Sequence, residues 1–135
     1  MKVDGGCHCG AIRFDAEVTP GTIGICHCTD CQMLTGTAFR AVVSAPAASF
    51  VLHGQPTVYV KTADSGTKRR HAFCPQCGSP VFATQFENPT SYSLRIGTIR
   101  QRRELGVPTR QIWCRSANAW SVLEGVPTVD KATLH

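Results

Sequence analysis

Gly10-Ala11-Ile12-Arg13-Phe14-Asp15-Ala16-Glu17-Val18 alternates apolar and polar residues, so Ile12, Phe14, Ala16 and Val18 fall on one face of an extended strand. A helix would scatter those four side chains around its circumference. The same texture recurs outward along the chain. Residues 37–44, 49–52, 57–62, 71–73, 80–84, 92–96 and 110–113 are short runs rich in β-branched and aromatic residues. Turn chemistry such as His53-Gly54-Gln55-Pro56 and Ala63-Asp64-Ser65-Gly66 separates them. One helical candidate stands apart, residues 29–35, where Asp30, Gln32, Met33 and Leu34 tolerate a helix and Gly36 stops it. No repeat, low-complexity segment or linker divides the chain. The expected fold is one all-β domain over residues 1–135, built of stacked antiparallel sheets.

The composition suits such a domain. The chain has 135 residues, 42% of them hydrophobic, which is enough for a core of its own. Charged residues make up only 17%, which argues against a disordered or nucleic-acid-binding tail. The formal net charge of +5 is moderate and is drawn largely from Lys68-Arg69-Arg70 and from Arg100, Arg102, Arg103, Arg110 and Arg115. The opening residues carry no apolar run of signal-peptide length, and no stretch approaches a membrane span. A reducing, cytoplasmic setting is therefore expected, in which clustered cysteines read as metal ligands and not as disulfides.

Seven of the eight cysteines are clustered: Cys7-His8-Cys9, Cys26-His27-Cys28-Thr29-Asp30-Cys31 and Cys74-Pro75-Gln76-Cys77. A tetrahedral zinc takes four ligands, so the natural partition is four plus three. On an extended strand, residues i and i+2 share a side, which lets Cys7 with Cys9, and Cys26 with Cys28, reach one metal. His8 and His27 would then face away as supporting or packing groups. Cys74 and Cys77 form the tight knuckle of structural zinc sites, with Gly78 placed where φ turns positive. Cys28 and Cys31 repeat that spacing, so the middle cluster supplies three sulfurs locally. Cys7, Cys9, Cys74 and Cys77 are expected to hold a structural zinc, clamping the start of the chain to its middle. Cys26, Cys28 and Cys31 are expected to hold a second zinc, partly occupied and more easily lost. With only three thiolates it keeps a vacant position, suited to bind and deprotonate a thiol. Cys114 reads as a buried structural thiol, with closure of the second site as its alternative. Trp113, Trp120 and the six phenylalanines read as core.

At this level of detail the chain resembles the glutathione-dependent formaldehyde-activating enzyme family, described together with centromere protein V. The resemblance rests on residues 6–14 (Gly6-Cys7-His8-Cys9-Gly10 and onward), on Cys26-His27-Cys28-Thr29-Asp30-Cys31 with Thr35-Gly36-Thr37-Ala38-Phe39, and on Phe73-Cys74-Pro75-Gln76-Cys77-Gly78-Ser79-Pro80. Pro108-Thr109-Arg110 and Trp120 extend it, and it covers roughly residues 3–122. It implies a β-tent fold, the same two zinc sites, and carbon–sulfur lyase chemistry between S-(hydroxymethyl)glutathione and glutathione plus formaldehyde. Three positions depart from the family pattern: Gln32 where arginine often follows the third cysteine, Gln111 where histidine often stands, and Ile99-Arg100-Gln101-Arg102-Arg103 in place of an acidic stretch.

The expected reaction is therefore zinc-dependent lysis or formation of a glutathione–formaldehyde adduct, or of a related thiol adduct, with Cys26, Cys28 and Cys31 catalytic through the metal they hold. Glutathione carries two carboxylates, so Arg40 and Lys68-Arg69-Arg70 are the candidate cations for it. No membrane partner is expected. Nucleic acid is not expected either, because the positive charge is scattered and lacks interleaved aromatics. The competing reading is a non-catalytic zinc-binding protein whose basic surface binds a partner or nucleic acid.

Overall fold

A computed structural model describes residues 1–132. Ten strands and one α-helix follow in the order β1 (Lys2–Gly6), β2 (Arg13–Glu17), β3 (Gly24–Cys26), α1 (Thr29–Thr35), β4 (Arg40–Pro46), β5 (Val51–His53), β6 (Thr57–Thr62), β7 (Lys68–Phe73), β8 (Pro80–Gln85), β9 (Ser91–Arg95) and β10 (Arg110–Ile112). They form two stacked sheets, one ordered β1-β2-β5 and the other β10-β3-β4-β9-β8-β7-β6. The fold is all-β, as the alternation implies. One pairing departs from the antiparallel expectation: β10 runs parallel to β3, with Gln111 opposite Ile25. The tail continues that edge, where Gln111 bridges Thr128 and Val129 donates its N–H to Gln111 O at 2.8 Å.

The core lies between the sheets. Phe14 and Ala16 of β2 face Val43 and Ala45 of β4, Leu94 of β9, Phe82 of β8 and Ala72 of β7, all nearly dry. Half-buried Phe50 packs against this cluster, stacked on Tyr92 at 4.0 Å between ring centroids and edge-on to Phe82 at 5.1 Å. Gly5 of β1 lies so close to the 96–98 turn that a Cβ there would meet the Thr98 carbonyl and the Phe14 ring. That approach lets Gly5 bridge Ile99, and Asp4 next to it takes Arg100 in an ion pair at 2.7 Å. The basic stretch after Gly97-Thr98 is thus tied to β1.

The large sheet turns its other face to α1. Residues directly opposite in a ladder, or two apart on a strand, point the same way. Cys26 lies opposite Arg40, Val42 opposite Arg95, Tyr59 opposite His71, and Lys61 opposite Arg69. His71 in turn lies opposite Ala83, and Ala83 opposite Ser93, two residues before Arg95. One face therefore gathers Cys26, Arg40, Arg95, His71, Arg69 and Lys61. α1 lies across it, touching β4 and tied to β6 by the Asp30–Lys61 ion pair at 2.9 Å. Among the described residues no helix is long and apolar enough to cross a membrane.

Candidate metal centres

Cys7, Cys9, Cys74 and Cys77 converge, with their sulfurs all within 4.8 Å of one another. The route differs from the strand argument for the first pair. Cys7 follows the end of β1, and Cys9 sits in a tight turn closed by Gly10 N–H to Cys7 O at 3.2 Å. Their sulfurs still meet at 3.6 Å, and Cys9 lies 3.7 Å from Cys74. Four sulfurs at about 2.3 Å from one zinc stand about 3.8 Å apart, so the set fits that ion. Backbone N–H groups of Ile12 and Gln76 point at the Cys7 and Cys74 sulfurs, at 3.2 and 3.4 Å, and support thiolate charge. The hydroxyl and backbone N–H of Ser79 hold the Cys77 thiol down at about 5. Gly78 takes φ +81°, as the knuckle requires.

Cys26, Cys28 and Cys31 form the second set, again with sulfurs mutually within 4.8 Å. Cys26 ends β3. Cys28 caps α1, extended at φ −60° and ψ 152°, and its sulfur accepts the Cys31 N–H at 3.2 Å. The first turn of α1 then brings Cys31 back to the same point, and Gly36 closes the helix in the left-handed region at φ 66°. The three thiols hold their protons unequally. Hydrogen bonds from Cys26 and Cys31 hold Cys28 down at about 2, and the same bonds push Cys26 and Cys31 up. Cys28 opens onto a cleft of about 440 Å³ lined also by Asp30, Lys61, Asp64 and Trp113. Trp113 holds a left-handed φ of 56°, uncommon for a bulky residue.

No fourth Cys, His, Asp or Glu among the described residues joins this triad. Cys114 is half-buried and directs its sulfur to Gln111 O at 3.6 Å. His27 is fully buried, and its Nε2 meets Gln111 Oε1 at 2.9 Å. Gln111 donates its amide to the carbonyls of Leu123 and Val126, so its oxygen must face His27, and His27 Nε2 carries the proton. His8 lies exposed in the first turn. The departures at 32 and 111 have structural roles. Gln32 donates to His27 O and Ser116 O at 2.8 and 3.1 Å, pinning the 116–118 segment to α1, while Gln111 pins the tail. Trp120, read from sequence as core, is 81% exposed, since the short turn 119–121 lies on the surface with only Ser121 buried.

Of the candidate cations, Lys68 and Arg70 lie over the Phe86 ring at 5.2 and 5.4 Å, on the strand face opposite Arg69. Arg40 and Arg69 stand on the face under α1. Sequence reasoning missed two neighbours there, Arg95 and His71, which are 7% and 8% exposed. Arg95 Nη2 donates to His71 Nδ1 at 3.2 Å. Burial, reinforced by Arg95 and Arg40, holds the His71 imidazole down at about 4, so it is neutral. Burial also lowers Arg95 to about 9. Arg95 ends β9, whose pattern does not single it out, and α1 contributes Met33 and Leu34 to the cavity that Arg95 borders.

The whole arrangement has known counterparts. A crystal structure of a Rhodobacter sphaeroides protein shares the fold, with a TM-score of 0.58 at 21% identity, covering 93% of this chain and 99% of that one. A Halomonas elongata protein, provisionally named a glutathione-dependent formaldehyde-activating enzyme, is 33% identical over 88 residues, which are 61% of this chain and 55% of that protein. The chain thus spans about half the length of the curated relative it matches. The family described as "Glutathione-dependent formaldehyde-activating enzyme" matches residues 2–116, a stretch that contains every clustered cysteine. With that match over most of its length, the chain belongs to the glutathione-dependent formaldehyde-activating enzyme family.

Proposed function

We propose that this protein is a carbon–sulfur lyase that interconverts S-(hydroxymethyl)glutathione, or a closely related thiol adduct, with the free thiol and formaldehyde. The observation that carries this reading is the contrast between the two sulfur sets: four donors converge at one, three at the other, and the three-donor set opens onto a cleft. Cys7, Cys9, Cys74 and Cys77 would hold a structural zinc. Cys26, Cys28 and Cys31 would hold a second. Bound there, zinc supplies a Lewis acid that stabilises the thiolate form of an incoming thiol near neutral pH.

In the lytic direction the C–S bond breaks and its electron pair leaves with sulfur. The hydroxyl oxygen of the adduct loses its proton and becomes the carbonyl oxygen of formaldehyde. Asp30 and Asp64 line the cleft beside Cys28 and are the carboxylates available to receive that proton. Lys61, paired with Asp30, places positive charge on the same wall to face developing negative charge on sulfur. Cys28 is the member of the triad exposed to the cleft, so the approach of the thiol is set from its side.

The test is Cys28→Ser. Turnover of S-(hydroxymethyl)glutathione, followed by NMR exchange between adduct and free glutathione, should fall at least ~100-fold, the scale of removing one member of a catalytic centre. Full turnover in that variant would remove the triad from the reaction.

A further inference from the structure

Arg95 is a charged side chain almost wholly withdrawn from water, yet its Nε and Nη1 have no hydrogen-bond partner. Arg40 Nε, diagonal to it across the β4–β9 ladder, is in the same condition. No ion pair among the described residues includes Arg40, Arg69 or Arg95, whereas Lys61 on the same face has Asp30. Buried guanidinium groups are ordinarily paired, because the desolvation penalty is large without a counter-charge. Three thiolates with one divalent metal leave a single negative charge against these three cations. The face is short of anion.

It also has room. A cavity of about 380 Å³ lies between α1 and the sheet, lined by Met33, Leu34, Tyr59, His71 and Arg95. Another of about 460 Å³ is lined by Thr35, Phe39, Arg40 and Arg95. Arg95 borders both, and Arg40 stands directly opposite Cys26 of the sulfur triad.

We infer that Arg40 and Arg95 form a carboxylate-binding site beside the three-sulfur centre, which selects thiols that carry a carboxylate. Guanidinium forks match a carboxylate's two oxygens, and the orphaned N–H groups supply the donors. His71, accepting from Arg95 Nη2, fixes the guanidinium and acts as a positioning residue. This inference rests on the proposed thiol chemistry only for the identity of the ligand, and the two can fail separately.

The experiment is isothermal titration of the zinc-loaded protein with S-methylglutathione, which keeps both carboxylates and has no free thiol. Wild type should bind it saturably, more weakly at higher salt. Arg95→Met should weaken binding at least ~10-fold, the scale of losing one charge-assisted pair, while Arg95→Lys loses less. Should Arg95→Met not fold, Arg40→Gln carries the same expectation. Unchanged affinity in the folded variant, absence of saturable binding in wild type, or an equal loss for the uncharged thiol 2-mercaptoethanol would each overturn the site. Glutathione binding no tighter than its S-methyl analogue would instead count against the thiol chemistry, and would leave the carboxylate site standing on the variant's loss.

Discussion

At the scale of single residues, the face under α1 is governed by how charge tolerates burial. His71 is held neutral there, with its pKa brought down to about 4 from an ordinary value near 6.5. The unfolded chain takes up a proton on this imidazole as pH falls through 6.5, and the folded chain refuses it until about 4. Stability from this group is therefore complete above the upper value, declines as pH falls across the window, and levels off below it. The full difference should be about 2 kcal/mol, allowing for partial solvent contact. His71→Gln keeps an acceptor for Arg95 and removes the titration. Urea unfolding of both proteins between pH 7 and 4 should show the stability gap shifting toward the variant as the solution is acidified. Cysteine protonation is common to both proteins and cancels in that difference. A gap independent of pH would mean that the imidazole titrates normally in the folded chain.

At the scale of elements, two glycines that flank one contact, Gly5 and Gly97, behave differently. Gly5 sits where β1 meets the 96–98 turn, with no space for a Cβ, while Gly97 in that same turn has open space around it. Gly5→Ala should destabilise by about 1–3 kcal/mol through overpacking, seen as a lower melting temperature, and Gly97→Ala should be close to neutral. Equal effects would mean that β1 is not pressed on the turn. The elements also separate what local pattern can reveal from what it cannot. α1 runs over Thr29–Thr35, as read from sequence, because its stop signal at Gly36 and its tolerant residues are all local. Residues 57–62 are a strand in full for the same reason. β1 was not legible, since Asp4-Gly5-Gly6 has little strand propensity and is held by Phe14 opposite Gly5, by Ile99 and by Arg100. β3 is three residues hidden in a cysteine cluster, and its parallel partner β10 is over eighty residues away. The cysteine sets were legible because ligand spacing is a local signal. Arg95 and His71 were not, because their burial is decided by a helix from another part of the chain.

At the scale of the whole molecule, the two sulfur sets bind very different lengths of chain. The four-sulfur set joins residues 7 and 9 to 74 and 77, and with them the small sheet to the β7–β8 turn. The three-sulfur set spans only residues 26–31 and closes almost no loop. Protein loaded with zinc should contain two ions per chain by native mass spectrometry. A chelator should remove the ion of the three-sulfur set first, with little change in melting temperature, and the second removal should unfold the chain, since structural zinc contributes on the order of 10 kcal/mol. Unfolding coincident with loss of the first ion would reverse these roles. Arg95 is buried, and Arg40 is half-buried opposite Cys26 of the sulfur triad, an arrangement suited to a small anion and not to a nucleic-acid backbone. The difference in span has a further consequence during synthesis. A nascent chain emerging from the ribosome exposes all three thiols of the local set once residue 31 is out, whereas the long-range set stays incomplete until residue 77 follows. In that interval the short set is the more completely assembled group of thiols.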